Sequence, residues 1–282
     1  MEDRGPYTVA QLVARGVSPA RVKELLAQGR LTRVAPRWLA DVSTPPEAIR
    51  AVQLGGRLGC LSACRHHGLW VPRDPDLHIA LNPGTPVPAG PPPGVRFHRL
   101  ATSCPRAVLP LEEAVTQVVH RHDVETGLVV LESAVNSGLM HQEEARHLLD
   151  RLPTRKAAAA QHFSHLAESG SETRLRLFFQ RHRVPVQPQV FVPGLGRVDL
   201  LVGRSWIVEA DSTAHHSAPQ DVRRDRDRDM NARLTGYDRD RLSYEQIWYS
   251  WAQTQEFLLA RIREKRHLRP PRPLNDIAVV RP

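Results

Sequence analysis

The apolar positions at the start of the chain change their period twice within a short stretch. Thr8 is placed to cap a helix, with Gln11 three residues on as its capping-box partner, and Leu12 and Val13 begin an apolar stripe. Gly16-Val17 interrupts the stripe. Ser18 caps a second helix with Pro19 at its first position, and Val22, Leu25 and Leu26 fall at i, i+3 and i+4 as a buried face. Gly29 stands where a left-handed C-cap forms. Leu31–Val34 and Trp38–Ala40 read as short extended pieces around Ala35-Pro36-Arg37. Residues 7–40 are thus predicted as helix, turn, helix and small hairpin.

Residues 45–71 continue as a helical stretch, and Leu77–Leu81 reads as a strand. Residues 82–94 hold six prolines and exclude regular structure. One or two helices with acidic faces cover 111–150, and 151–170 read as a helical linker. From Ser171 the pattern changes. Glu172–His182 is an amphipathic helix with Leu175, Phe178 and Phe179 at i, i+3 and i+4. Val186–Val192, Arg197–Val202 and Trp206–Ala210 are strands, the last two joined by a tight turn at Gly203-Arg204. Residues 221–235 form a charged helix, Arg239–Leu242 a strand and Tyr244–Ile262 a closing helix. The order αβββαβα fits a mixed sheet flanked by helices. The expected class is α+β, divided into 1–110, a helical connection 111–168, a second domain 169–268 and a Pro-rich tail 269–282.

Composition narrows this picture. The chain has 282 residues, of which 41% are hydrophobic, enough for two cores and against general disorder. No apolar run reaches the roughly 20 residues of a membrane span, and the N-terminus carries no secretory pattern, so a cytoplasmic, nucleoid-associated protein is expected. Three cysteines do not complete a disulfide framework. Net charge is +9, distributed as +7 over residues 1–110, −4 over 111–170 and +6 over 171–282. Two basic ends suit two contacts with phosphate. The arginine and proline bias of a GC-rich genome gives the same balance, so charge alone decides little.

The candidate chemistry lies in RVDLLVGRSWIVEAD, residues 197–211. Asp199 and Glu209 sit on adjacent strands, which lie about 4.8 Å apart, so carboxylates at matching depth can share a hard cation such as Mg²⁺ or Mn²⁺. Asp211 points to the same side of its strand as Glu209. Glu172 lies near the apolar face of its helix, where a lone carboxylate is costly and needs a reason. The opposing interpretation is solvated acids at strand ends. Likewise the Arg/Asp alternation of Arg223–Arg241 suits a solvated helix face, and His215-His216 suits a polar loop. Cys60, Cys64, His66 and His67 admit a zinc interpretation, but one-turn spacing suits a buried helix face equally and no second pair has zinc-finger spacing. The cysteines are read as core.

Residues 171–248 resemble the nuclease domain related to very-short-patch-repair endonucleases, within the PD-(D/E)XK superfamily. The matching pieces are SETRLRLFF, Gln189, GRVDLL, WIVEAD, His215-His216, Asp225 and Arg228 in RRDRDRDMNARL, and GYDRDRLSYEQI. The resemblance implies a metal-dependent DNA endonuclease with Asp199 and Glu209 as ligands and Glu172 as the helix carboxylate. Asp211 occupies the usual lysine position, a departure from the pattern. His216 is then the candidate for proton transfer and Arg228 for a phosphate clamp. Residues 7–40 resemble the winged helix of AbiEi-type antitoxins, with GCLSACRHHGLWV as its second helical segment. That implies DNA contacts from Arg21, Lys23, Arg30, Arg33 and Arg37, against the alternative of a protein-docking module. A DNA-binding regulator on an inactive nuclease fold is the competing expectation, and a homodimer or protein partner is left open.

Overall fold

The computed structural model describes residues 5–87, 90–211, 230, 232 and 234–273. The chain is an α+β protein of two compact units, Met1–Val130 and Leu131–Pro282.

The first unit opens with helices α1 (Val9–Ala14) and α2 (Pro19–Ala27) and strands β1 (Thr32–Ala35) and β2 (Trp38–Ala40). The capping expectations hold. Thr8 and Gln11 form the reciprocal capping box, and Ser18 Oγ accepts from Arg21 N–H with Pro19 at the first helical position. Val22, Leu31 and Leu39 close a small core against Leu12, Leu25 and Leu26. The stretch after it is less helical than its composition suggests. Helices α3 (Pro46–Gln53) and α4 (Cys60–His66) are separated by a short strand β3 (Arg57–Leu58). Gly56 and Gly59 let that strand approach its neighbour closely, for a Cβ on Gly56 would lie 2.1 Å from Ile79 Cγ2. β3 pairs antiparallel with β4 (Leu77–Leu81), and β4 pairs parallel with β5 (Val95–Arg99). The proline-rich segment between β4 and β5 serves as the connection. Helix α5 (Leu111–Arg121) follows, and α6 (Val124–Asn136) spans the boundary between the units.

The second unit contains α7 (Gln142–Asp150), α8 (Thr154–Ala160) and α9 (Gly170–Arg181), then strands β6 (Val186–Val192), β7 (Gly196–Val202), β8 (Trp206–Asp211) and β9 (Asp238–Ser243). The sheet order is β6-β7-β8-β9, antiparallel except for the parallel β8–β9 pair. Leu200 and Val208 join Leu175, Phe178, Phe179 and Trp206 in one core, while the adjacent Leu201 and Ile207 pack in a second with Val192 and Val198. The sheet is therefore buried on both faces, as its unbroken apolar runs require.

Two local details differ from expectation. The β7–β8 connection has three residues, Gly203–Ser205, and the Ser205 carbonyl accepts from Asp238 N–H at 2.9 Å. Gly203 has φ +62°, and a Cβ there would lie 2.3 Å from the His267 carbonyl oxygen. The closing helix is divided into α10 (Tyr244–Trp248) and α11 (Trp251–Arg263). Arg174 stacks between Trp248 and Trp251 at 4.4 and 4.5 Å from their centroids and donates to the Ile247 carbonyl at 3.0 Å, which holds the break. No helix among the described residues is long and apolar enough to cross a membrane.

Candidate active site

In the β7–β8 ladder Val202 faces Trp206 and Leu200 faces Val208, and the ladder ends one residue short of Asp199 and Glu209. Asp199 Oδ2 accepts from Ala210 N–H at 2.9 Å. Glu172 comes from the first turn of α9, whose N-cap is Ser169. That turn is held from outside by Trp248 Nε1, which donates to Ser171 Oγ at 2.9 Å. Glu172 is buried, and its Oε2 accepts from Glu168 N–H at 3.0 Å and Gln189 Nε2 at 2.7 Å.

Electrostatics tie these acids together. Burial, then the neighbouring Glu172 carboxylate, push Asp199 up to about 7; Glu209 raises it further, against the Ala210 N–H. Burial also raises Glu172, opposed by the bonds from Glu168 and Gln189. Glu172 and Glu209 lie near enough to raise Asp199, and a proton or a cation offsets that like-charge repulsion.

Gln189 is the neighbour that sequence reasoning undervalued. It lies where the β6–β7 register skips a pair, and its φ is +53°. Its Nε2 is used by Glu172, while its Oε1 is buried without a hydrogen-bond partner among the described residues. A buried amide oxygen left so is costly. It is a hard donor of the kind that suits Mg²⁺ or a water on it. The residues present therefore fit an oxygen-ligated divalent ion.

Glu209 has other company. Arg239 Nε donates to its Oε2 at 2.7 Å, and Arg241 Nε lies 3.5 Å from the same oxygen. Both arginines come from β9, which runs parallel to β8 with Glu209 facing Arg241. At 238–241 the Arg/Asp alternation lies on the strand expected at Arg239–Leu242, where it has period two. Arg239 and Arg241 turn to Glu209, while Asp238 and Asp240 turn to Arg261, and Asp240 also accepts from Trp206 Nε1 at 2.8 Å. A cleft of about 570 Å³ runs along β9, lined by Arg239, Arg241, Arg261 and Phe257 among others.

Asp211 ends β8 opposite Ser243, on the Glu209 side of the strand. His215, His216, Asp225 and Arg228 lie outside the described residues. The three carboxylates do not draw together as a set within 4.8 Å; the one such group of ligand atoms among the described residues is Cys60, His78 and His98 in the first unit.

Of the N-terminal candidates, Arg21, Lys23, Arg30, Arg33 and Arg37 are all exposed. Arg21 pairs with Glu24 at 2.7 Å. Arg33 donates to the Pro36 carbonyl at 2.7 Å and thereby ties the β1–β2 turn, and the Arg37 guanidinium lies 5.7 Å from the Trp38 ring centroid.

No protein-family model matches this chain, and no curated protein does. Among solved structures it is similar to the Rv2827c protein from Mycobacterium tuberculosis, at 20% identity over 62% of this chain and 76% of that one, with a TM-score of 0.29. A likeness at that level bears on neither unit's chemistry.

Proposed function

We propose that this chain is a metal-dependent DNA endonuclease, with a PD-(D/E)XK-type active site at Glu172, Asp199 and Glu209 and a winged helix-turn-helix at residues 7–40 that holds duplex DNA. The observation that carries the reading is Asp199 on β7 within electrostatic reach of the buried Glu172 and of Glu209 on the adjoining β8, so that burial and Glu172 push it up to about 7. A carboxyl raised in this way by burial and like charge favours a bound proton or a bound cation over a bare negative charge.

Mg²⁺ or Mn²⁺ held by Asp199, Glu209 and Glu172 would neutralise charge on the scissile phosphate and acidify a bound water. The protein's own groups supply the rest. Gln189 fixes the Glu172 carboxylate. Arg239 and Arg241 flank Glu209 on the β9 side, where a phosphate entering the cleft would meet two guanidinium groups suited to it. Asp211 stands at the position of the superfamily's lysine, so the attacking water needs another proton acceptor. His216 is assigned that task, and Arg228 a clamp on phosphate. The N-terminal arginines and Lys23 are exposed, as groups that meet a DNA backbone must be.

The competing reading is a DNA-binding regulator on an inactive nuclease fold. The pairing of Glu209 with Arg239 favours it, since a guanidinium there already satisfies one carboxylate. The two readings separate when purified protein is incubated with supercoiled, linear, mismatched and single-stranded DNA, with and without Mg²⁺ or Mn²⁺. Cleavage that requires the metal supports the nuclease; binding without cleavage under every metal supports the regulator.

A further inference from the structure

The first unit contains a second constellation that neither the nuclease reading nor the helix-turn-helix uses. We infer that Cys60, His78 and His98 form a binding site for a transition-metal ion of zinc's class, with His122 beside it. The ligands come from separate parts of the sequence. Cys60 begins α4, His78 lies in β4, His98 in β5, and His122 follows α5. The ligand atoms of Cys60, His78 and His98 all lie within 4.8 Å of one another. His78 Nδ1 is 2.8 Å from His98 Nε2, and Cys60 Sγ is 3.2 Å from His122 Nε2.

The donor set selects the metal. One thiolate and two imidazoles suit Zn²⁺ or Co²⁺ and exclude the oxygen-seeking Mg²⁺. Zn–S and Zn–N bonds of about 2.3 and 2.0–2.1 Å imply tetrahedral ligand separations of about 3.3–3.8 Å. The two imidazole nitrogens, 2.8 Å apart, need separate by only about half an ångström to meet these, and Cys60 Sγ lies within 4.8 Å of the ligand nitrogen of each. The environment fits as well. Cys60 and His78 are fully buried and His98 is 9% exposed. His78 Nε2, its outer nitrogen, lies 3.3 Å from Asp74 Oδ2, without hydrogen-bond alignment. A carboxylate behind the outer nitrogen is the usual support of a metal-binding imidazole. Cys60 itself has φ +49° at the head of a helix, a left-handed conformation that non-glycine residues disfavour. Its N–H is held by Gln117 Oε1 at 3.0 Å.

The proton balance is simple. Cys60 enters the balance as a thiol and each histidine as an imidazole with one N–H, the forms a buried cluster holds without a cation. Binding M²⁺ forms one M–S bond and two M–N bonds and breaks the S–H bond, releasing one proton. The proton between His78 Nδ1 and His98 Nε2 moves to the outer nitrogen of its ring. The ion would cross-link α4, β4 and β5, a short-stranded region whose sheet has just two residues in β3. Its role is then to staple this part of the unit.

The test uses the full chain, stripped with chelator and titrated with Co²⁺. One equivalent should produce the intense visible absorption of a tetrahedral site together with a near-ultraviolet thiolate-to-cobalt band. Zn²⁺ should displace it and raise Tm. The sulfur band separates this site from any carboxylate or histidine site elsewhere, so the result is independent of the nuclease reading. Cys60→Ser should lose the band, His98→Asn should weaken cobalt binding at least tenfold, and Cys104→Ser should keep both. Wild-type protein that shows no sulfur band overturns the proposal, as does a band that survives in folded Cys60→Ser. If Cys60→Ser does not fold, unweakened binding in His98→Asn and His78→Asn overturns it.

Discussion

Asp199 carries two consequences that can be separated by pH. Its carboxyl is raised in the folded chain to about 7 from an ordinary value near 4, so folding favours the protonated form. Its contribution to stability is complete below pH ~4 and is lost as pH rises through 7. In chelator-treated protein Asp199→Asn should therefore stabilise the fold above pH 7, by about 1–3 kcal/mol, with the gain vanishing near pH 4. Urea melts at the two pH values check this; an equal effect at both would remove the electrostatic explanation. His216→Ala should slow single-turnover cleavage about 10²–10⁴-fold, and His215→Ala much less, with DNA affinity nearly unchanged in both. Equal, near-wild-type rates would leave His216 without a role. Asp199 and Glu209 stood out in the sequence because each interrupts an apolar strand run, and Glu172 because it falls in the first turn of an amphipathic helix. Gln189's engagement with Glu172 was not, because it depends on a skipped pair in the β6–β7 ladder. The Cys60–His78–His98 group was invisible for a related reason: its members are far apart in the chain, and no local spacing marks them.

Helix α9 is anchored on two sides, and its anchors differ in kind. Near its start Trp248 and Arg174 pack around the first turns. On its other side Arg176 and Glu132 of α6 form a pair in which both side chains are 1% exposed, 2.6 Å apart. Glu132 also accepts from Thr173 Oγ1 at 2.6 Å and Ser164 N–H at 2.8 Å. A buried guanidinium deprived of this partner is strongly unfavourable, so Glu132→Ala should cost about 3–5 kcal/mol in denaturant unfolding. A loss below 1 kcal/mol would show that water reaches the pair. Capped and strictly periodic elements, α1, α2, α9 and β6–β8, were readable because caps and period are local properties. β3 and β5 were not, since a two-residue strand has no period and β5 is fixed by parallel pairing with β4 across the proline segment. The strand expected at Arg239–Leu242 is present, and its pairing with β8 extends it to Asp238–Ser243.

The two units divide the proposed labour, DNA binding in one and hydrolysis in the other. In the full chain, replacing Arg21, Lys23, Arg30 and Arg37 by alanine should weaken duplex binding and flatten its salt dependence by about 0.9 in log–log slope for each phosphate no longer neutralised. Arg33 is left out because it also ties the hairpin turn at Pro36. An unchanged slope would turn residues 7–40 into a protein-docking surface. The central claim rests on the acids of the second unit, and single-turnover cleavage of duplex DNA by the full chain tests it most directly. Wild type should cut in Mg²⁺ or Mn²⁺ and stop on chelation, while Asp199→Ala and Glu209→Ala, folded by circular dichroism, should fall to background. Cleavage that persists in both variants, or wild type that binds DNA and never cuts it under either metal, would contradict the account.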